Sequence, residues 1–184
     1  TPAGIGAKNK AIYQKSGVKA IFQGGEKHDL VEASFVAQCN YEEALGKDFI
    51  RVVSCNTTGL CRVLGSIDQE HDIKKARAVL FRRATDPWES HKGGIINTVV
   101  PETHVPSHQG PDAQTVIPKL NIVTMAAKGP YNLSHIHFAM VELKEPVKTE
   151  AVIETLAEAP RILLIKAAEG LQGLNSVIEL MRDL

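Results

Sequence analysis

The sequence predicts an α/β piece followed by an α+β piece. Residues 1–54 read as the closing part of an open parallel sheet, and residues 55–184 as a mainly antiparallel or mixed sheet covered by helices. Three observations carry this reading. Up to Val53, helical and β-branched stretches alternate on short connections, the pattern of parallel sheets. Beyond Ile73, apolar runs follow one another with helical patterns inserted between them. Finally, 43% of the 184 residues are hydrophobic, enough for a substantial core.

Taken in order, Pro2 and Gly4 open a helical pattern with Ile5, Ile12 and Tyr13 as apolar positions, and Gly17 supplies its left-handed stop. Val18–Phe22 is a strand closed by Gln23-Gly24-Gly25, followed by a polar loop through Asp29. Ser34–Gln38 is the next strand, Tyr41–Gly46 a short helix, and Ile50–Val53 a buried β-branched strand. A helix then runs from Cys55 towards Asp68. The apolar centre Ala78–Phe81 of Ile73–Arg83 suits a buried strand. Trp88–Pro118 is rich in glycine and proline, and Ser107–Asp112 within it reads as a polar turn. Asn121–Ala127 and Leu133–Leu143 are strands about the turn Gly129-Pro-Tyr-Asn132. Thr149–Leu156 is a helix, Arg161–Ile165 a strand and Gly173–Leu184 a terminal helix.

Charge and composition exclude several classes. The 21 basic and 21 acidic residues balance, so there is no electrostatic case for a nucleic-acid or acidic-membrane partner. No apolar run approaches the roughly 18–20 residues needed to span a bilayer. Three irregularly spaced cysteines make no disulfide framework, which points to a reducing cytoplasm. The start on Thr1 carries no secretory pattern and reads as a processed or trimmed chain.

The chemistry concentrates at Ile50–Arg62. There a buried strand delivers Cys55 to a helix start, where Asn56, Thr57 and Thr58 offer N-cap oxygens. The positive end of a helix favours the nucleophilic thiolate, as covalent catalysis requires. Cys61, among Leu60, Val63 and Leu64, reads as core, and Cys39 as buried and inert.

His135 and His137 alternate onto one face of their strand. Three roles compete for them: ordinary strand-end histidines, a His-x-His metal pair with no evident further ligands, or a general base. Arg82 and Arg83 close a strand either as a solvated pair or as a bidentate phosphate clamp. Gly110 can let a backbone N–H approach an anion, and Gly24-Gly25 reads as a turn.

Ser54-Cys-Asn-Thr-Thr-Gly-Leu-Cys-Arg62 resembles the nucleophile motif of the archaeal branch of the glyceraldehyde-3-phosphate dehydrogenases. The bacterial and eukaryotic branch has Ser-Cys-Thr-Thr-Asn at this point. Further stretches agree, in the family's order: Thr1-Pro-Ala-Gly-Ile-Gly-Ala-Lys-Asn9, Phe22-Gln-Gly-Gly-Glu-Lys-His28, Arg82-Arg-Ala-Thr-Asp-Pro87, Pro106-Ser-His-Gln-Gly-Pro-Asp112 and Ser134-His-Ile-His137.

The resemblance implies that Cys55 is the nucleophile and His135 the base, with His137 as fallback. Ser54 and Asn56 would flank the substrate, Gln109, Gly110 and Arg82 would help to hold it, and Arg83 would bind substrate phosphate or the cofactor. Family members often have His-His-Gly where this chain has His108-Gln-Gly.

The resemblance also implies the tail of a Rossmann-like nucleotide domain in residues 1–54 and a catalytic domain in 55–184. It further implies NAD or NADP as cofactor, glyceraldehyde 3-phosphate and inorganic phosphate as reactants, and a homotetramer. The family's glycine fingerprint is not in this sequence, so these residues alone are expected to bind nicotinamide cofactor poorly, which calorimetry tests. The rival readings are another thiol-dependent semialdehyde dehydrogenase, a thioester-forming hydrolase and a non-catalytic oligomerisation domain.

Overall fold

The computed structural model describes residues 4–86 and 94–182. The expected roles of Pro2, Pro87, Trp88–Gly93 and the last two residues lie outside them. Among the described residues, helix α1 (Ile5–Lys15) ends where Gly17 takes φ 66°. Three short strands, β1 (Ala20–Phe22), β2 (Ala33–Phe35) and β3 (Phe49–Val52), form a parallel sheet in the order β1-β3-β2. This is the parallel sheet expected from the alternating pattern.

Strand β2 is shorter than the expected Ser34–Gln38, because helix α2 (Ala37–Ala44) takes over at Ala37. The buried side chain of Asn40 explains the early turn. Its Oδ1 accepts the Val36 N–H at 3.0 Å and its Nδ2 donates to the Ser34 carbonyl at 2.8 Å, folding the strand end back on itself.

The second sheet has the order β5-β6-β4-β7. Strand β4 (Ile73–Arg82) pairs in parallel with β6 (Ile122–Lys128) and antiparallel with β7 (Ile136–Leu143), and β5 (Val100–Pro101) edges β6. It is thus a mixed sheet. One face is covered by α3 (Cys55–His71), α4 (Gln109–Gln114) and α5 (Thr149–Glu158). Leu60, Cys61, Leu64 and Ile67 of α3 pack there with Ala76, Ala78 and Leu80 of β4, forming the main core. The other face leaves Phe138, Met140 and Met125 exposed.

Arg161–Ile165 is not a strand. Arg161 has φ 62°, outside extended backbone, and Leu163 and Leu164 are exposed. A terminal helix, α6, spans Leu174–Met181.

The two sheets meet where β3 runs into α3. Gly24, at the end of β1, lies so close to this junction that a Cβ there would stand 2.4 Å from the Ser54 nitrogen. The backbone contact leaves no room for a side chain, and it sets the height at which Cys55 emerges.

Candidate active site

Helix α3 begins at Cys55 itself, so its N-cap is Ser54 rather than any of the three residues after Cys55. Ser54 has extended backbone (φ −60°, ψ 160°), and its Oγ accepts the Thr57 N–H at 3.3 Å. Thr57 and Thr58 turn to other work. Thr57 Oγ1 donates to Asp112 of α4 at 2.8 Å, and Thr58 Oγ1 to the Val53 carbonyl at 3.3 Å. Both anchor the first helical turn from below and leave the thiol of Cys55 exposed.

His135 sits just ahead of β7, after Ser134 at φ 54°, and comes to Cys55 from 80 residues away. Its Nε2 lies 3.3 Å from the sulfur. The Arg83 backbone N–H donates to its Nδ1 at 3.2 Å. The Arg83 backbone thereby orients the ring from its Nδ1 side, with Nε2 towards the sulfur. Arg83 Nη1 and Asn56 Nδ2 stand 3.3 and 3.4 Å from the same Nε2, and Asn56 Nδ2 is 3.9 Å from the sulfur. N–H groups of Arg83 and Asn56 thus surround His135 Nε2, and that of Asn56 also reaches the sulfur.

His137 does not reach the thiol. It lies on the covered face of β7, opposite Leu80, and its Nε2 is 2.9 Å from Asn56 Oδ1. The two imidazoles stack at 6.4 Å.

Burial, then the positive charge of Arg83, then His137 and Arg82, push the His135 pKa down to about 4, against a smaller opposing pull from Asp86. Burial also lowers that of His137. A stability consequence follows with a definite sign. Unfolded His135 takes up a proton near pH 6.5, whereas the folded ring refuses it until about pH 4. Stability should therefore fall as pH drops through that window. Urea midpoints measured across it should show this slope, and His135→Gln should reduce it.

The other cysteines are unlike Cys55. Cys39 is half-buried, its Sγ donates to the Cys61 carbonyl at 3.2 Å, and burial raises its pKa to about 11. Cys61 is fully buried, and its thiol pKa is raised for the same reason.

A cleft of about 410 Å³ opens over Cys55 and His135, lined also by Ser54, Asn56, Arg82 and Arg83. Arg83 pairs with Asp86, and Arg82 with Glu102. Two larger clefts, of about 470 and 530 Å³, contain neither Cys55 nor His135, so chemistry rather than size marks the site.

Gln109 and Gly110 do not line the cleft. The segment read as a turn starts α4 and carries both residues inward. Gln109 is fully buried with neither amide atom hydrogen-bonded among the described residues, and the Gly110 N–H is taken by Thr124 Oγ1 at 2.9 Å. In their place His108 and Lys128 line the cleft, and sequence reasoning missed both. Lys128 carried a weak signal, a cation ending the apolar run of β6. His108 carried none beyond its place next to Gln109.

Comparison with known proteins agrees with this architecture in two steps. The fold is that of a dehydrogenase catalytic domain. A crystal structure of aspartate semialdehyde dehydrogenase II from Vibrio cholerae superposes with a TM-score of 0.73 at 16% identity, covering 88% of this chain and 59% of that one. At sequence level, the family model described as "Glyceraldehyde 3-phosphate dehydrogenase, C-terminal domain" matches residues 54–183.

Curated archaeal relatives match the whole chain. Glyceraldehyde-3-phosphate dehydrogenase of Thermococcus kodakarensis is 53% identical over 184 residues, and that of Methanopyrus kandleri 52% over 186. The chain belongs to the glyceraldehyde-3-phosphate dehydrogenase family. It spans about half the length of the curated relatives it matches, 54% and 53% of these two.

Proposed function

We propose that the protein containing this chain oxidises D-glyceraldehyde 3-phosphate to 1,3-bisphosphoglycerate, with inorganic phosphate as second reactant and NAD or NADP as hydride acceptor. The observation that carries the reading is the 3.3 Å approach of Cys55 Sγ to His135 Nε2 in an open cleft. Family membership supplies the substrate. On this reading residues 1–54 close the nucleotide domain and 55–184 form the catalytic domain.

The cofactor's fit to this chain is partial. The parallel sheet ends at Gly24 and Ser54, beside the thiol, but the sequence contains no Gly-x-Gly-x-x-Gly turn to cradle a pyrophosphate. Arg83 and the Cys55 cleft fit the reactive end of a nicotinamide. When bound, that group supplies the acceptor for a hydride.

The chain's own residues do the rest. The Cys55 thiolate adds to the aldehyde carbon, and the negative charge moves from sulfur to the former carbonyl oxygen. Asn56 Nδ2–H, 3.9 Å from the sulfur, is placed to donate to that oxygen, and His135 Nε2, 3.3 Å from the sulfur, to exchange a proton with it. The alkoxide collapses to a carbonyl as the hydride departs, leaving a thioester on Cys55. His135 is the acid–base group of this reading, its Nε2 standing beside the reacting atoms and its ring oriented by the Arg83 N–H. Inorganic phosphate attacks the thioester carbon and the thiolate leaves. Arg82, His108 and Lys128 in the cleft wall supply positive charge and N–H donors for phosphate groups.

The whole protein should form reduced cofactor from glyceraldehyde 3-phosphate only when phosphate is present. Equal rates without phosphate would instead indicate hydrolysis of the thioester. Activity on a semialdehyde alone would indicate the other dehydrogenase reading.

We further propose a cytoplasmic homotetramer acting in glycolysis or gluconeogenesis. The tetramer is supported by the apolar residues Phe138 and Met140, 59% and 75% exposed on the open sheet face, and sedimentation of the whole protein tests it. Among the described residues no helix is long and apolar enough to cross a membrane.

A further inference from the structure

Asn56 stands between two histidines, and its amide has a sign. One end accepts hydrogen bonds and the other donates them, so the direction it faces decides whether it supports or opposes negative charge on the neighbouring sulfur. Asn56 is buried, 4% exposed, and cannot trade these contacts for water. Its Oδ1 lies 2.9 Å from His137 Nε2. Its Nδ2 lies 3.4 Å from His135 Nε2 and 3.9 Å from Cys55 Sγ. An amide oxygen can only accept, so His137 must be the donor in the shorter contact.

We propose that His137 is a positioning residue for the thiol chemistry: by donating Nε2–H to Asn56 Oδ1, it locks the amide with its NH₂ towards the Cys55 sulfur.

The fold makes His137 suited to this. Strand alternation puts it on the covered face of β7, and its ring lies against Gly59, one turn into α3, where a Cβ would stand 3.6 Å from His137 Cε1, at ordinary van der Waals distance. Without the His137 donor the amide is free to rotate by half a turn. Its oxygen would then face the sulfur, replacing a favourable N–H contact by a repulsive one. His135 and His137 thereby divide the work: one ring stands at the sulfur, and the other holds the amide beside it.

This inference rests on the reading of Cys55 as the nucleophile, but its test needs neither aldehyde nor cofactor. The measurement is the rate of Cys55 alkylation by iodoacetamide in the whole protein at pH 7, with the site followed by peptide mass. His137→Leu should slow alkylation on the order of ten-fold, the weight of one hydrogen bond to a charged group. His137→Gln, which can still donate an N–H to Oδ1, should restore most of the rate. Asn56→Ala should slow alkylation too, and adding His137→Leu to it should change nothing further.

The proposal is overturned if His137→Leu alkylates as fast as the parent, if glutamine fails to rescue, or if the leucine effect persists in the Asn56→Ala background. Should His137→Leu not fold, Asn56→Asp carries the test. It places an oxygen where the NH₂ stood and must slow alkylation, and an unchanged rate refutes the proposal. A protein that passes these tests yet fails the phosphate-dependent assay refutes the proposed reaction and leaves the positioning role standing.

Discussion

Cys55→Ser in the whole protein is expected to lower turnover by about 10⁴-fold or more, while the fold and the unfolding midpoint stay near those of the parent. The direction follows from nucleophilicity, since a neutral hydroxyl is a far weaker nucleophile than a thiolate. The size follows from the local geometry. In enzymes that use serine, a neighbouring histidine takes the hydroxyl proton. Here His135 is a weak base, its pKa pushed down to about 4 by burial and then by Arg83, and its Nδ1 is bonded to the Arg83 N–H rather than to a carboxylate, so it is poorly suited to take a hydroxyl proton. A thiol needs less help, because thiols as a class are far more acidic than alcohols. Initial rates with saturating glyceraldehyde 3-phosphate and phosphate measure the effect. A serine variant within ten-fold of the parent would mean that the nucleophile lies elsewhere.

The parts of this site that sequence reasoning could reach are those with local signals. A β-branched run followed by Ser54 and Cys55 marks a strand delivering a side chain to a helix start, whatever the rest of the chain does. The His135/His137 alternation likewise put both rings on one side. The proximity of Cys55 to His135, 80 residues apart, depended on family resemblance, because no local pattern encodes it.

Misreadings arose where tertiary contacts overrode local preference. Asn40 ends β2 early through two side-chain bonds to backbone that no propensity anticipates. Arg161–Ile165 has strand composition, but the positive φ of Arg161 breaks the extended backbone at its first residue. Gln109 looked like a ligand-binding residue beside a glycine, yet α4 turns it inward. Ile50–Val53 was read rightly as a buried strand, but its one charge, Arg51, drew no role of its own.

Arg51→Met should destabilise the protein by about 3–5 kcal/mol, read as a lower urea midpoint. Arg51 points to the buried side of β3 and is 3% exposed. Its guanidinium satisfies four partners on three segments. Nε donates to Ser34 Oγ at 2.9 Å, Nη1 to the Glu26 carbonyl at 2.8 Å, and Nη2 both to Thr115 Oγ1 at 3.2 Å and to the Asp112 carboxylate as an ion pair. Methionine fills similar volume but strands the Asp112 carboxylate, whose side chain is only 15% exposed. The remaining support for that charge is the Thr57 hydroxyl. Most of the penalty is therefore the unpaired acid, and a second substitution exposes this. Arg51→Met combined with Asp112→Asn removes both charges and should recover a large part of the loss. The same contacts reach the catalytic centre, because Asp112 holds Thr57 in the first turn of α3, two residues from Cys55. The single variant should consequently lose activity even at urea-free conditions and low temperature, where it remains folded. If it instead unfolds within 1 kcal/mol of the parent, or if the double variant is less stable than the single one, the buried pair is not what ties the parallel sheet to the catalytic helix.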